Sequence, residues 1–356
     1  MPEAPTIDVH AHLVPPAWFG AAPRPAPSYS REELAAQIAR FPYIPIGDPT
    51  ELVDREYDRL MRFEAARFDG TIETSTAFLI SEMDAAGIDV AVNNCLDEFS
   101  QPYGRVYSVP VERTLEDIAR MAEAHPGRLV NFFGVDPHRG AAGLTLMRRA
   151  VTEFGCCGMG EWLTDQWKIL PSDREIAYPF LALCEELKIP FGNNGSGSKP
   201  SQTPTVFEQI LKDFPKLKVV HQAAGLLTDE ERAAAPEEAD LPYRLLALAE
   251  RYENFWLDVD DWQRRDDEGK TRLFRFLRRA FDGPAANRIM FGTDFPVFTR
   301  PVSAAYYVDS ILNDSARLGV ELRDGELARF FSTNALSLLD GPYAPRFIRD
   351  AAAHFA

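Results

Sequence analysis

The chain has 356 residues, of which 46% are hydrophobic and 26% are charged, an ordinary balance for a globular protein. Its 38 Lys and Arg residues against 54 Asp and Glu residues give a formal charge of −16. Because no basic excess is present to neutralise phosphate groups, we expect a small-molecule substrate and neither a nucleic acid nor a membrane surface as partner.

The four cysteines lie in apolar stretches and form no CxxC pair. We interpret Cys95, Cys156, Cys157 and Cys184 as reduced core residues, which predicts a cytoplasmic protein. The N-terminus lacks a basic region followed by an apolar run, and no apolar stretch reaches 18 residues. The sequence therefore predicts neither a signal peptide nor a transmembrane helix.

Eight short apolar runs that end in polar residues recur along the chain, with helical patterns between them. They are TIDVHAHL (6–13), GIDVAVNNC (87–95), RLVNFFGVDP (128–137), GCCGMGEW (155–162), KIPFGNNGSG (188–197), KLKVVHQAAG (216–225), NFWLDVD (254–260) and RIMFGTDFP (288–296). Near-continuous apolar strands that alternate with helices are typical of a parallel sheet covered on both faces. Eight such units predict a (β/α)8 TIM barrel that forms a single domain over 1–356. A doubly wound open sheet is the rival, but the first run lacks the Gly-rich turn that such a sheet usually carries.

Two regions fall outside this repeat. Residues 13–70 are rich in proline and aromatic residues and follow the first strand directly. Because the loops after the strands form the active face of a barrel, we interpret 13–70 as an ordered cap over the site. Beyond residue 297 the pattern predicts two or three further helices, which we expect to pack outside the barrel.

The first run sets two histidines, His10 and His12, two residues apart. Side chains of a strand alternate between its faces, so both imidazoles point the same way at the carboxyl end of the strand. Two imidazoles buried together need polar partners, and one shared divalent cation satisfies both. An HxH pattern also arises by chance, so the other strand ends decide the interpretation.

Three other strand ends carry residues of matching chemistry. Glu161 ends the fourth run, His221 the sixth, and Asp294 stands in FGTDFP at the end of the eighth. In a parallel barrel these ends meet on one face. Imidazole and carboxylate ligands suit Zn²⁺, with Mn²⁺ or Fe²⁺ as alternatives, so the combined pattern predicts a divalent metal site.

Three further residues near strand ends are candidate substrate contacts. Trp162 and Trp262 could form the walls of a pocket for a flat substrate, although aromatic residues at such positions often only pack. His138 lies just beyond the third strand. The segment GNNGSGSK after the fifth strand lacks the GxxxxGK[ST] spacing, which argues against a phosphate-binding loop.

The segments IDVHAHLVPP, MDAAGID, VVHQAAG and FGTDFP, in this order, resemble the amidohydrolase superfamily. The nearest likeness is to the branch typified by aminocarboxymuconate-semialdehyde decarboxylase, and it extends from residue 6 to about residue 340. The resemblance implies a (β/α)8 barrel with a divalent metal, usually zinc, at the carboxyl ends of its strands. His10, His12 and Asp294 would then be metal ligands, and His221 a catalytic acid/base or a further ligand.

The fifth strand departs from that family pattern. Where the family usually has a metal-ligand histidine, this chain has Asn193 and Asn194, which we take as candidate substrate contacts. An amide oxygen is a weaker and harder ligand than imidazole. Either Glu161 or His221 could complete the metal shell, since some superfamily members bind metal through a strand-four carboxylate. The alternative for Glu161 is a salt-bridged acid inside the barrel.

The leading hypothesis is hydrolysis of a small cyclic or aromatic substrate that bears a carboxyl or amide group, through a metal-activated water. Asp294 would carry the proton and His221 would polarise the carbonyl group. A second hypothesis keeps the site but makes the reaction a non-oxidative decarboxylation or hydration of an aromatic or unsaturated acid. A third is a barrel that binds ligand without turnover. We favour one metal ion, because no lysine ends strand four to suggest a carbamate bridge. The family is often dimeric or larger, which leaves a homo-oligomer open.

Overall fold

The eight predicted strands all form, in parallel, in a computed structural model that describes residues 4–40, 48–97, 108–195, 199–225, 240–260, 262–297 and 299–355. The strands are β1 (Ile7–Ala11), β2 (Val90–Leu96), β3 (Leu129–Gly134), β4 (Cys156–Trp162), β5 (Phe191–Asn193), β6 (Val219–His221), β7 (Phe255–Asp258) and β8 (Ile289–Met290). Each pairs with the next in chain order.

Backbone hydrogen bonds join the last strand to the first. The Val9 amide donates to the Phe291 carbonyl at 3.0 Å, and the His12 amide donates to the Phe295 carbonyl at 2.7 Å. These bonds close the sheet, so the predicted (β/α)8 barrel is confirmed and the open doubly wound sheet is excluded. They also fix the end of β1 against the chain segment that carries Asp294.

Helices surround the barrel and extend beyond it. They are α1 (Arg31–Ile38), α2 (Pro49–Asp69), α3 (Ile72–Ala86), α4 (Val111–Ala124), α5 (Ala141–Thr152), α6 (Thr164–Trp167), α7 (Tyr178–Leu187), α8 (Pro204–Asp213), α9 (Leu241–Arg251), α10 (Asp267–Phe281), α11 (Ala304–Arg317), α12 (Asp324–Ala328), α13 (Asn334–Leu339) and α14 (Arg346–Phe355). Short 3₁₀ turns lie at Pro16–Phe19, Pro137–Arg139, Pro200–Gln202 and Gln222–Gly225, and a π-helical turn at Arg329–Thr333. Among the described helices, none has both the length and the apolar character that a membrane crossing requires.

Strand side chains divide between two hydrophobic clusters. Along β6, Val219 packs in the large cluster between sheet and helices, whereas Val220 belongs to the cluster inside the barrel. The inner cluster also takes Leu336 of α13 and Ile348 of α14. These two helices therefore pack against the barrel interior, whereas the sequence analysis predicted that they would lie outside the barrel. The prediction holds for α11, which packs in the outer layer through Tyr307.

The insertion after β1 has a small apolar core of its own. It is formed by Leu34, Ala35 and Ile38 of α1 with Leu52, Val53 and Leu60 of α2. Ser30 caps α1 by accepting from the Glu33 amide, and Asp48 caps α2 by accepting from the Thr50 amide. Residues 41–47 of the predicted cap lie outside the described residues.

Ion pairs and hydrogen bonds attach the insertion to the loop beyond β8. Arg59 of α2 donates to the carbonyl oxygens of Thr299 and Arg300, each at 2.7 Å. The Arg300 guanidinium in turn lies 2.6 Å from the Glu64 carboxylate. The insertion is therefore anchored to the same chain segment that follows Asp294.

Gly134, at the end of β3, lies where β3 comes very close to the backbone of β4. A Cβ atom at this position would overlap the backbone of Glu161. We expect Gly134→Ala to lower the free energy of unfolding by about 3 kcal/mol, because neither backbone can yield without separating the strands. Chemical denaturation measures this. Gly325→Ala is the matched control: nothing lies within 4 Å of its Cβ, so the helix should be unchanged or slightly stabilised. Equal effects of the two changes would contradict the close approach.

Candidate metal centre

The two histidines of the HxH motif meet at the carboxyl end of β1. Both side chains are buried, and their Nε2 atoms lie 3.0 Å apart. Two ring nitrogens this close need a proton or a metal ion between them, because two bare lone pairs would repel each other. The predicted convergence of His10 and His12 is therefore present.

The other nitrogen of each imidazole is already engaged. His12 Nδ1 donates to the backbone carbonyl of Asn94 at 2.6 Å. His10 Nδ1 contacts the carboxylate of Asp260, and Asp258 Oδ2 lies 3.4 Å from the same nitrogen. Since carbonyl and carboxylate oxygens only accept, each Nδ1 carries the proton. Both Nε2 atoms are thereby presented to one common point.

Two predicted carboxylates border this point. Glu161 lies with Oε2 3.6 Å from His12 Nε2 and Oε1 3.9 Å from His10 Nε2. Asp294 Oδ1 lies 3.2 Å from His12 Nε2. With metal–ligand bonds of about 2.0–2.2 Å, two atoms on one ion lie at most about 4.4 Å apart. His10, His12 and Glu161 thus form a group able to hold a metal ion, with ligand atoms mutually within 4.8 Å, and Asp294 borders this group through its contact with His12.

Buried charge shapes the proton equilibria on the far side of His10. Burial opposes protonation of His10, but the Asp260 and Asp258 carboxylates outweigh it and raise the pKa of His10 well above its usual range. Burial, with the Asp258 charge, raises the pKa of Asp260. This pair therefore retains a proton at neutral pH when no metal is bound.

Three acids at the barrel mouth were missed by the sequence analysis. Besides Asp258 and Asp260, Asp8 is buried on β1, where it accepts from the Thr293 hydroxyl at 2.6 Å and from the Thr293 amide at 3.0 Å. Burial raises the pKa of Asp8 to about 7. The signal was available, since acids alternate with apolar residues in IDVH and in LDVD.

The two asparagines at the end of β5 point in different directions. Asn194 Nδ2 donates to Glu161 Oε1 at 2.5 Å, so this side chain lies against the predicted metal group. Asn193 faces the other way, and its Nδ2 donates to the side chain of Gln202 at 3.1 Å. The described contacts therefore bring Asn194, and not Asn193, to the site.

His221 does not face the predicted metal group. Its ring packs against Phe207 of α8 and Phe255 of β7, with centroids 4.8 and 6.3 Å away. Its Nδ1 donates to the Gln222 carbonyl at 3.1 Å. The reason is strand parity: Val220 points into the barrel, so its neighbour His221 points out toward the helices. The role expected for His221 therefore lacks the contact it needs.

The inward position at the end of β6 belongs to Gln222, which the sequence analysis passed over. Its Nε2 donates to Asn94 Oδ1 at 3.2 Å, and its Oε1 is buried without a partner among the described residues. Gln222, Asn94 and Asp258 line a small cavity in the barrel interior. Counting alternation from Val220 would have identified this residue.

The three remaining candidates lie away from the group. Trp162 is fully buried in the outer layer, where it packs on Trp167, Phe180 and Phe191. Trp262 stacks on Phe276, and its indole donates to the Ala223 carbonyl at 2.9 Å. His138 is partly exposed and bonds Asp136 at 2.9 Å. Both tryptophans serve packing, which is the alternative that the sequence left open.

A protein-family model described as Amidohydrolase matches residues 7–341 of this chain. The match includes both histidines of the HxH motif, Glu161 and Asp294. No curated protein matches the sequence.

Solved structures resemble the whole barrel. A probable 2-pyrone-4,6-dicarboxylic acid hydrolase from Acinetobacter baumannii, with citric acid bound, has a TM-score of 0.56 and 12% identity over 94% of this chain and 98% of its own. A 2,6-dihydroxybenzoate decarboxylase from Rhizobium has a TM-score of 0.55 and 14% identity over 94% of this chain and 98% of its own. A dihydroxybenzoic acid decarboxylase from Polaromonas sp. JS666, with manganese and the inhibitor 2-nitroresorcinol bound, has a TM-score of 0.53 and 14% identity over 95% of this chain and 97% of its own. Identities this low show a shared fold and leave the reaction open.

The burial of His221 predicts a specific acid sensitivity. Burial lowers the pKa of His221 to about 4, whereas an unfolded histidine titrates near 6.5. As the pH falls below 6.5, His221 becomes protonated in the unfolded chain but stays neutral in the native state. The native state therefore loses about 3 kcal/mol between pH 6.5 and 4 through this group. We expect His221→Gln to remove that part of the loss in denaturation curves recorded across this range.

The exposed residue His354 provides the control. His354→Gln should leave the pH dependence of the free energy of unfolding as in the wild type. If His221→Gln also leaves it unchanged, His221 is not buried in the neutral form.

Proposed function

The chain belongs to the amidohydrolase family, and from this membership we propose that it is a metal-dependent hydrolase of a small cyclic or aromatic substrate that bears a carboxyl or amide group. One observation carries the proposal. His12 Nε2 lies 3.0 Å from His10 Nε2 and 3.2 Å from Asp294 Oδ1, at the carboxyl end of the barrel strands, the face on which TIM-barrel enzymes place their active sites.

In this proposal one divalent cation is held by His10, His12, Glu161 and Asp294. Two imidazoles and two carboxylates suit Zn²⁺, and also Mn²⁺ or Fe²⁺. When bound, such an ion polarises a substrate carbonyl group and lowers the pKa of water from about 15.7 to about 7. The protein's part is to fix the ligands in advance, through the Nδ1 hydrogen bonds of both imidazoles and the Asn194 amide on Glu161.

Asp294 is assigned the proton transfer. Its side chain is 13% exposed, whereas those of His12 and Glu161 are 7% and 5% exposed. It is therefore the carboxylate of this group most open to an entering substrate. Asp294 accepts the proton of the attacking water and delivers it to the leaving group. No step is assigned to His221, because its ring packs between Phe207 and Phe255.

In this proposal the insertion that contains α1 and α2 excludes bulk water from the site. Its attachment to the loop beyond β8 through Arg59 and Arg300, and to Arg265 beyond β7 through a 2.6 Å ion pair with Glu56, holds it beside the segments that carry Asp294 and Asp260. A covered site strengthens the electrostatic interactions inside it. The insertion would then also limit the size of the substrate.

Purified protein offered a panel of lactones and cyclic amides, together with hydroxybenzoates, tests the reaction class. We expect hydrolysis of at least one ring substrate, measured by proton release or by loss of ring absorbance. Release of CO₂ from a hydroxybenzoate without hydrolysis of any panel member would replace the hydrolase with a carboxy-lyase acting at the same site, the reaction named for two of the structural neighbours.

Metal content gives a second test. We expect about one divalent ion per chain by elemental analysis, loss of activity after treatment with a chelator, and recovery on addition of Zn²⁺ or Mn²⁺. His12→Asn should abolish tight metal binding, because it removes one of the two ring nitrogens. A protein that neither contains nor takes up metal would favour a barrel that binds ligand without turnover.

Asp294→Asn tests the proton transfer. We expect kcat to fall by about 10²- to 10⁴-fold, the usual worth of a positioned acid/base group, while the circular dichroism spectrum stays unchanged. The amide keeps the shape of the side chain and a carbonyl oxygen, but it cannot accept the proton. Asp350→Asn, at an exposed ion pair on α14, is the control and should retain wild-type kcat. Equal kcat in wild type and Asp294→Asn would remove Asp294 from the mechanism.

A further inference from the structure

The carboxylate of Asp260, directly beyond β7, is buried against the imidazole of His10. It contacts Nδ1, the ring nitrogen that faces away from the proposed cation. Asp258 lies behind it, 3.4 Å from the same nitrogen. Neither residue is among the four proposed ligands, and the hydrolytic mechanism uses neither.

We propose that Asp260 is a positioning residue, which holds His10 in the tautomer that offers Nε2 to a divalent cation. The inference rests on the proposed function, since it concerns the same metal. A neutral imidazole carries one ring proton, and the hydrogen bond at one nitrogen decides where that proton sits. A carboxylate at Nδ1 keeps the proton there and increases the basicity of Nε2.

The packing around the pair leaves little freedom for another arrangement. Gly292 on the neighbouring strand segment lies so close that a Cβ atom there would be 2.9 Å from His10 Cβ and 3.1 Å from Asp260 Cβ. The Cβ atoms of His10 and Asp260 thus lie close to the backbone at Gly292, just beyond β8, which limits how far the two side chains can move apart.

Asp258 has a different task. Its Oδ1 accepts from the Ala223 amide at 3.0 Å, and Ala223 and Ala224 have φ values of +58° and +44°. Non-glycine residues rarely adopt this left-handed conformation, so the turn after β6 depends on such a contact. Asp258 therefore stabilises the backbone that carries Gln222, while Asp260 acts on His10.

The isosteric change Asp260→Asn separates positioning from simple structural support. It removes the negative charge at Nδ1, so we expect affinity for Zn²⁺ and Mn²⁺ to fall by about 10- to 100-fold, measured by competition with a chromophoric chelator. Asparagine keeps the shape of the side chain and an oxygen that can accept from Nδ1, so the variant should fold, and the melting temperature of the metal-free protein is recorded beside the affinity. A merely structural role would lower stability and leave metal affinity in place.

Two further variants serve as controls. Asp117→Asn changes an equally buried carboxylate on α4, which accepts from the Trp18 indole at 3.0 Å, and it should lower stability without changing metal affinity. Asp258→Asn should weaken metal binding less than Asp260→Asn does, because its carboxylate lies farther from Nδ1.

The outcomes are distinguishable. Wild-type protein that binds no metal would overturn the proposed function and this inference together. Wild-type protein that binds metal while Asp260→Asn binds it with equal affinity would overturn the inference alone, as would an equal loss in Asp117→Asn. A lowered metal affinity in Asp260→Asn that Asp117→Asn does not show supports it.

Discussion

The arrangement of the barrel mouth depends on two ring nitrogens placed 3.0 Å apart in a buried setting. They are stable there only with a proton or a metal ion between them, and the neighbours of both rings are arranged to permit either. The Asn94 carbonyl binds His12 from behind, the Asp260 carboxylate binds His10 from behind, and Glu161 and Asp294 border the open side. A proton satisfies this arrangement in the metal-free protein, and a divalent cation satisfies it with more ligands. The site is therefore organised before any metal arrives, which is what a high-affinity site requires.

Periodicity was sufficient to predict the barrel. Seven of the eight strands fall inside the apolar runs identified in the sequence, and β2 passes the end of its run by one residue, because a parallel strand covered on both faces must be apolar almost throughout. The same argument placed His10, His12, Glu161 and Asp294 at strand ends, and the structure brings these four together. Their common position follows from the carboxyl ends of parallel strands meeting on one face of a barrel, and for His10 and His12 also from a two-residue spacing that keeps both side chains on one side.

Three of the candidates that lie away from the group do so for one reason, which is strand register. Trp162 of β4 lies opposite Asn193 of β5, and Asn193 lies opposite His221 of β6. These three side chains form one row that faces the helices, and the next row along, with Asn194 and Gln222, faces the interior. Since a shift of one residue exchanges the two faces of a strand, a strand end known only to within one residue leaves the face undecided. His221 has the chemistry expected of a catalytic residue, but the inward-facing position at the end of β6 is occupied by Gln222.

The amides at these two inward positions bear on the charge of the site. Glu161, Asp258, Asp260 and Asp294 gather around two imidazoles, and the ion pairs described for Glu161, Asp258 and Asp294 are with those imidazoles. A divalent cation offsets two of these four carboxylates, and the carboxylate of Asp260 is engaged with Nδ1 of His10. Asn194 and Gln222 add hydrogen-bonding capacity without further charge. Neither amide can exchange protons, so among the inward-facing groups described at the mouth the proton transfer falls to a carboxylate. Asp294 is the most exposed of His12, Glu161 and Asp294, which is why the proposed hydrolysis gives it the proton transfer.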